Sequence, residues 1–236
     1  IPCTPEMLGT AFRDVVVRHG LLDEVGPAIC DGQSLFLYGP SGNGKTVIAQ
    51  GIGRFLNLCG GEIYVPYAVL VDGQIITIFD PNVHQTTDDV ETLATAGHAP
   101  IETVPLTTAG VDLRWRRIRR PVVMSAGELT LEMLELRYQT ESRYYVAPLH
   151  LKSNGGVFVI DDFGRQQVAP RSLLNRWILP LASRIDYLTL ATGKKFAVPF
   201  EQLTVFSTNL EPQELVDDAF LRRIRHKLAV LPPSRD

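Results

Sequence analysis

The chain has 236 residues, 45% hydrophobic and 21% charged, which excludes a disordered or low-complexity protein. Its 23 Lys and Arg against 26 Asp and Glu leave a net charge of -3. That excludes a protein basic throughout that coats nucleic acid by charge alone, but not a local basic patch. Three cysteines (Cys3, Cys30, Cys59), far apart and without C-x-x-C spacing, argue against a disulfide framework or a zinc site and read as inert thiols.

No apolar run approaches the roughly 18 residues of a membrane helix, and no signal segment opens the chain. A soluble, cytoplasmic protein is the expectation. The chain begins at Ile1 rather than Met, as a trimmed or processed one would. Its length suits one α/β domain over 1–236, or at most two small ones.

Residues 6–25 carry a helical pattern (Met7, Leu8, Phe12, Val15, Val16, Leu21, Leu22) expected to end near Gly26-Pro27. Ser34–Tyr38 is an apolar run of strand length, followed by a glycine-rich turn and a helix over 45–58. Two β-rich runs, Ile63 to Val71 and Gln74 to Phe79, flank Asp72-Gly73 and predict a hairpin. Residues 81–110 are polar and read as a long excursion, and 111–124 resume an extended pattern. Ser125-x-x-Glu128 predicts a capping box before a helix carrying Leu129, Met133, Leu134 and Leu136.

Val157–Ile160 reads as a strand buried on both faces, ending in Asp161-Asp162. Pro170 starts a helix with Leu173, Leu174, Trp177, Ile178 and Leu181 on one face. Two short β runs, Tyr187 to Ala191 and Phe196 to Val198, precede a second buried strand, Leu203–Phe206, which leads into Ser207-Thr208-Asn209. A short helix over 211–217, a basic segment and a last strand over 227–231 complete the chain. Strands alternating with helices imply a mainly parallel sheet covered on both faces.

Gly39-Pro40-Ser41-Gly42-Asn43-Gly44-Lys45-Thr46 fits G-x-x-x-x-G-K-[ST] at every position. Glycines let backbone N–H groups turn inward around a phosphate chain, and the helix that follows aims its positive end at the same anion. Lys45 would reach the β/γ-phosphates and the Thr46 hydroxyl would ligate Mg²⁺. Asp161 ends a buried strand, where a carboxylate can meet that Mg²⁺, and Asp162 would polarise the attacking water if the chain bends there. Asn209, at the carboxyl end of the neighbouring strand, would orient water against the γ-phosphate, a role compatible with capping the next helix. Arg222, Arg223 and Arg225 crowd four positions, and an arginine there could neutralise transition-state charge on the γ-phosphate.

In this order, Gly39–Thr46, Val157–Asp162, Ser207–Asn209 and Leu221–Arg223 resemble the core of an AAA+ ATPase over about residues 30–232. The resemblance implies an α/β P-loop NTPase: a parallel sheet sandwiched by helices, with ATP and Mg²⁺ as cofactors. It makes these segments Walker A, Walker B, sensor 1 and the arginine-finger region, with Arg223 preferred to Arg222 as the finger. The paired β runs before the sensor strand are similar to the pre-sensor hairpin of the branch that holds sigma-54 activators and magnesium-chelatase-like remodelers. It further implies a homo-oligomeric ring, such as a hexamer, acting on a protein or nucleic acid client.

Three departures stand out. Asp161-Asp162 replaces the usual Asp-Glu pair, which bears on hydrolysis rate rather than binding. Lys45 and Asp161 lie 116 residues apart, about twice the spacing of a bare core, so a β-rich insertion is expected within about 65–125. The helical lid with its sensor-2 arginine is missing, as in a truncated or lidless variant, while 1–30 reads as an N-terminal helix and linker. The insertion carries Arg114-Trp115-Arg116-Arg117-Ile118-Arg119-Arg120, which could grip phosphates, stack on bases or dock an acidic partner. Two other functions compete: a nucleotide-gated switch that hydrolyses slowly, and a P-loop small-molecule kinase, which would not need Asn209 and Arg223. No Leu-Ser-Gly-Gly-type signature supports an ABC ATPase.

Overall fold

A computed structural model describes residues 2–16, 18, 20–87, 107–108, 111–215 and 218–232. Five strands form the central sheet: β1 (Ser34–Tyr38), β2 (Val122–Ser125), β3 (Val157–Ile160), β4 (Leu203–Thr208) and β5 (His226–Ala229). They lie in the order β5-β1-β4-β3-β2, and every neighbouring pair is parallel. All carboxyl ends therefore share one edge, the edge at which the glycine loop, Asp161 and Asn209 leave the sheet.

Strand alternation divides the core into two layers. Leu35, Leu37, Val157, Val159, Leu203 and Val205 face one side, under α1 (Pro5–Ala11), α2 (Leu21–Asp31) and α3 (Lys45–Cys59). Phe36, Phe158, Ile160 and Phe206 face the other, under α4 (Pro170–Ser183). Trp177 of α4 is fully buried there, edge-on to Phe158, Phe200 and Phe206. The expected strands 34–38, 157–160 and 203–206 and the helices from 45 and 170 are all present.

The single helix expected over 6–25 is two. It stops at Phe12, and the second helix, starting at Leu21, runs through Gly26-Pro27 to Asp31. Gly26 serves close approach rather than termination: a Cβ there would lie 3.2 Å from the Leu8 side chain of α1. Gly32, at φ 66, is the actual stop, and its N–H bonds the Ala28 carbonyl.

The first β run after α3 also divides. Glu62–Pro66 pairs antiparallel with Trp115–Arg119, and only Ala68–Val71 forms the expected hairpin with Gln74–Thr77. Asp72 and Gly73 both take positive φ (51 and 75), as a type I′ turn requires. That hairpin extends to Tyr144–Val146 and Arg137–Gln139 as a four-stranded sheet. The expected hairpin before the sensor strand is Ile185–Thr189 against Lys195–Pro199. A third apolar cluster, with Val65, Ile76, Ile118, Tyr145 and Leu188 in it, joins these outer strands.

The helix expected after Ser125 does not form. Ser125 ends β2, and its hydroxyl donates to the Glu128 carboxylate rather than accepting from the Glu128 N–H. Ala126 N–H donates to the same carboxylate, and only a 3₁₀ turn, Glu132–Leu134, follows. The span assigned to the insertion, about 65–125, thus overlaps a strand of the central sheet. Most of the polar excursion, 88–106, lies outside the described residues. The cysteines, remote in sequence, are not remote in space: Cys3 and Cys30 line one surface cleft, and Cys3 and Cys59 pack against the same core layer.

Candidate functional site

The glycine loop is shaped by two close constraints. Gly39 takes φ 135, and a Cβ there would sit 2.5 Å from the Val230 carbonyl oxygen, so a side chain is excluded. Asn43 Nδ2 donates to that oxygen at 3.2 Å and ties the loop to the chain beyond β5. Gly44, left-handed at φ 82, caps α3, leaving the unpaired N–H groups of its first turn facing the loop.

Lys45 is 6% exposed, and its Nζ donates to the loop carbonyls of Gly39 (2.7 Å) and Pro40 (2.8 Å). Burial holds its pKa below the usual lysine range, against the attraction of Asp161 and Asp162. Among the described residues both hydrogen-bond acceptors are neutral, so no carboxylate neutralises the ammonium by direct contact. A buried cation held only by neutral loop carbonyls, at the start of a helix, fits an incoming phosphate chain.

Thr46 Oγ1 donates to Asp161 Oδ2 at 2.7 Å. A hydroxyl and a carboxylate converging this closely are a hard-oxygen donor set that suits Mg²⁺. Backbone bonds fix Asp161 from both sides: its N–H donates to Ser125 O (2.8 Å) and its carbonyl accepts from Gln166 Nε2 (2.8 Å).

Asp162 takes φ 50, which breaks strand alternation and turns the chain directly after Asp161. Asn209 Nδ2 donates to Asp162 Oδ1 at 3.3 Å. Thr208 Oγ1 donates to Phe163 O (2.7 Å) and clamps the two strand ends together. Lys45, Thr46, Asp161, Asp162 and Asn209 therefore meet at one edge, with Gly39, Pro40, Ser41, Gly42, Asn43 and Gly44 around them.

Arg222 and Arg223 are not brought to that edge. The Arg223 carbonyl accepts from Ser34 Oγ at 3.4 Å, at the amino end of β1, while the glycine loop leaves the carboxyl end. Five strand residues place these points roughly 15 Å apart. Both arginines are exposed.

Sequence reasoning missed Gln166, whose amide also accepts from Gly164 N–H (2.8 Å), and Ser125, whose carbonyl holds Asp161. Both act through backbone groups, which no residue pattern encodes. It also missed the flank of the loop, where Val15, Leu21, Asn43, Ile48 and Val230 line a small cleft of about 30 Å³. A larger apolar cavity of about 340 Å³ lies in the outer strands, remote from this chemistry.

No family model and no curated protein matches the sequence. Among solved structures, the complex between subunits BchI and BchD of magnesium chelatase superposes with a TM-score of 0.53 at 17% identity. That match covers all of this chain and 63% of the other, so the chain spans less than two thirds of the protein it resembles. NtrX from Brucella abortus matches with a TM-score of 0.47 at 12% identity, over 92% of this chain and 37% of its own. What the magnesium chelatase match shows is the fold alone. A parallel sheet sandwiched by helices, expected from the AAA+ resemblance, is the architecture observed, with five strands in it. Among the described residues no helix is long and apolar enough to cross a membrane.

Proposed function

We propose that this chain binds ATP with Mg²⁺ and hydrolyses it, as the ATPase of an AAA+-type homo-oligomeric ring that remodels a protein or nucleic acid partner. The observation that carries this reading is the 2.7 Å bond from Thr46 to Asp161. It links the helix after the glycine loop to the end of a strand two places away in the sheet, converging two metal-seeking oxygens beside a buried lysine.

In this reading Lys45 exchanges its loop carbonyls for β/γ-phosphate oxygens, and Thr46 and Asp161 would hold the Mg²⁺. The bound Mg²⁺ supplies charge neutralisation on the phosphate chain. Asp162 accepts the proton of the attacking water, and Asn209, already bonded to it, keeps that water in line. Arg223, or Arg222 beside it, is too far from its own loop to serve there and is offered to a neighbouring subunit.

One observation favours a slow, nucleotide-gated switch as a second reading. The Asp162 carboxylate is one methylene shorter than the usual glutamate and is already engaged by Asn209. Phosphate release from Mg·ATP, followed across a protein concentration series, separates the readings. Turnover without any acceptor, rising per chain with concentration, supports the ring ATPase. Tight ATP binding without release selects the switch, and transfer only to an added small-molecule acceptor selects the kinase. No ATP binding by calorimetry overturns all three.

A further inference from the structure

The strand Trp115–Arg119 carries the arginine-rich segment, and over Arg117–Arg119 both its edges are occupied. Glu62–Pro66 pairs along one edge. Along the other, Thr87 N–H donates to Arg117 O (3.0 Å), Arg119 N–H donates to Gln85 O (2.9 Å), and Thr86 bridges Ile118. Among the described residues no backbone edge remains open over Arg117–Arg119, so a partner there must use a face.

Alternation sorts that segment. Ile118 is 1% exposed on the inner face, and Arg116 lies against the rings of Tyr67 and Phe79. The outer face presents Trp115, Arg117 and Arg119, with Tyr64 directly across from Arg117. Trp115 is 45% exposed and Tyr64 62%. Arg114, in the turn just before the strand, has a side chain 73% exposed.

Two acids among the described residues share the patch. Asp112 pairs with Arg114 (2.7 Å) and Glu62 with Arg117 (3.2 Å). Among the described residues, three arginines against two acids make the patch positive on a chain whose net charge is -3. Arg119 has no ion-pair partner among the described residues.

We propose that this face binds single-stranded nucleic acid, with Trp115 and Tyr64 stacking on unpaired bases and Arg114, Arg117 and Arg119 contacting phosphates. Aromatic rings interleaved with guanidiniums on an open sheet match an alternation of bases and phosphates. An acidic peptide would use the arginines but leave two exposed rings without a role. A duplex would offer phosphates while its bases stay stacked on each other. The site is independent of nucleotide turnover and stands or falls without it.

The protein carries two tryptophans, Trp115 on this face and Trp177 fully buried in the core, so quenching by a stacked base reports on Trp115. Titration with an oligothymidylate about 20 nucleotides long, longer than a single sheet face covers, should quench tryptophan emission and raise oligonucleotide anisotropy together. Three phosphate contacts give a slope of log affinity against log salt near about -2, and Arg119→Ser should reduce its magnitude by about 0.7. Trp115→Leu should weaken binding about tenfold and remove the quenching. A duplex of equal length and polyglutamate should each bind about tenfold more weakly than the single strand and leave the emission unchanged. Absence of binding at low salt, equal binding of polyglutamate or duplex, or binding with unquenched tryptophan each overturns the proposal. Because the quenching arm uses the unmodified protein, it decides even if a variant fails to fold.

Discussion

Asn209 and Asp162, 47 residues apart in sequence, meet by a 3.3 Å hydrogen bond from the amide to the carboxylate. The bond exists because β4 and β3 are neighbours and the chain turns at Asp162 with φ 50. It places a candidate base and a candidate water-orienting amide as one unit. Asp162→Asn should keep ATP bound and slow turnover at least about 10²-fold, the scale of lost general-base assistance. Asp161→Asn should instead raise the Mg²⁺ concentration needed for half-maximal activity. Steady-state phosphate release with a Mg²⁺ titration reads both, and full activity in Asp162→Asn would move the role to Asn209.

Lys45 is the one charged residue of the segment Gly39–Thr46. Lys45→Ala should abolish ATP binding measurable by calorimetry while leaving the far-ultraviolet dichroism unchanged, since the lost bonds run only to loop carbonyls. Unchanged affinity in a folded variant would remove the phosphate-loop assignment.

The separation of Arg223 from the glycine loop makes a prediction about mixtures. Arg223→Ala should cut turnover about 10³-fold while sparing nucleotide affinity. Mixed with Lys45→Ala chains, it should regain part of the activity, because some interfaces then pair an intact loop with an intact arginine. Mixed oligomers confirmed by mass, yet inactive, would rule out a site shared between subunits.

Asp186 anchors the hairpin Ile185–Thr189 to the core. Its carboxylate, 1% exposed, accepts from His150 Nε2 (2.8 Å), from the Arg176 guanidinium and from Tyr187 N–H (2.7 Å). Burial pushes its pKa up, but the hydrogen bonds and charges of His150 and Arg176 outweigh it and hold the group below the usual range. A depressed carboxylate adds stability above its unfolded pKa, near about 4, and loses it as pH falls through the lower folded value. Asp186→Asn leaves Arg176 with Glu135 alone, at 2.8 Å, among its charged partners here, and should cost about 3–5 kcal/mol at neutral pH. Urea midpoints should show the difference between wild type and variant shrinking only well below pH 4.

The thiol of Cys3 is pushed up to about 11, first by burial and then by the neighbouring Cys30. Thiolate is the reactive form, so at pH 8 Cys3 should alkylate far more slowly than the exposed Cys30. Mass mapping after a short iodoacetamide pulse checks the order, and equal labelling would mean that the thiol is not shielded as described.

The loop and both strand ends were legible because each carries its own chemistry at a fixed spacing. Gly39–Thr46 needs no tertiary knowledge, and four apolar residues ending in Asp161 read as a strand buried on both faces. What failed was partner choice. Ile63–Val71 looks like one strand arm, but Tyr67 N–H bonds Arg114 O while Ala68–Val71 folds back on Gln74–Thr77, so the run serves two sheets. The Ser125 capping signal lost to the parallel pairing of Ser125 with Ile160. Gly26-Pro27 read as a stop because its helix packs against Leu8, a contact invisible in the local pattern. The clustered cysteines, the Asp186 network and Gln166 rest on residues from distant parts of the chain or on backbone groups, and no local pattern reports them.

Arg120 sits where the outer ribbon joins the sheet, one residue beyond the strand Trp115–Arg119 and two before β2. Its guanidinium bonds the carbonyls of Gly60, just past α3, and of Gly155, just before β3. The opposite ends of those two elements carry Lys45 and Asp161. A 15-residue helix is a rod about 22 Å long. A tilt of that rod at its Lys45 end would swing the far end, and the Arg120 bonds would hand that swing to the ribbon like a pin through the end of a crank.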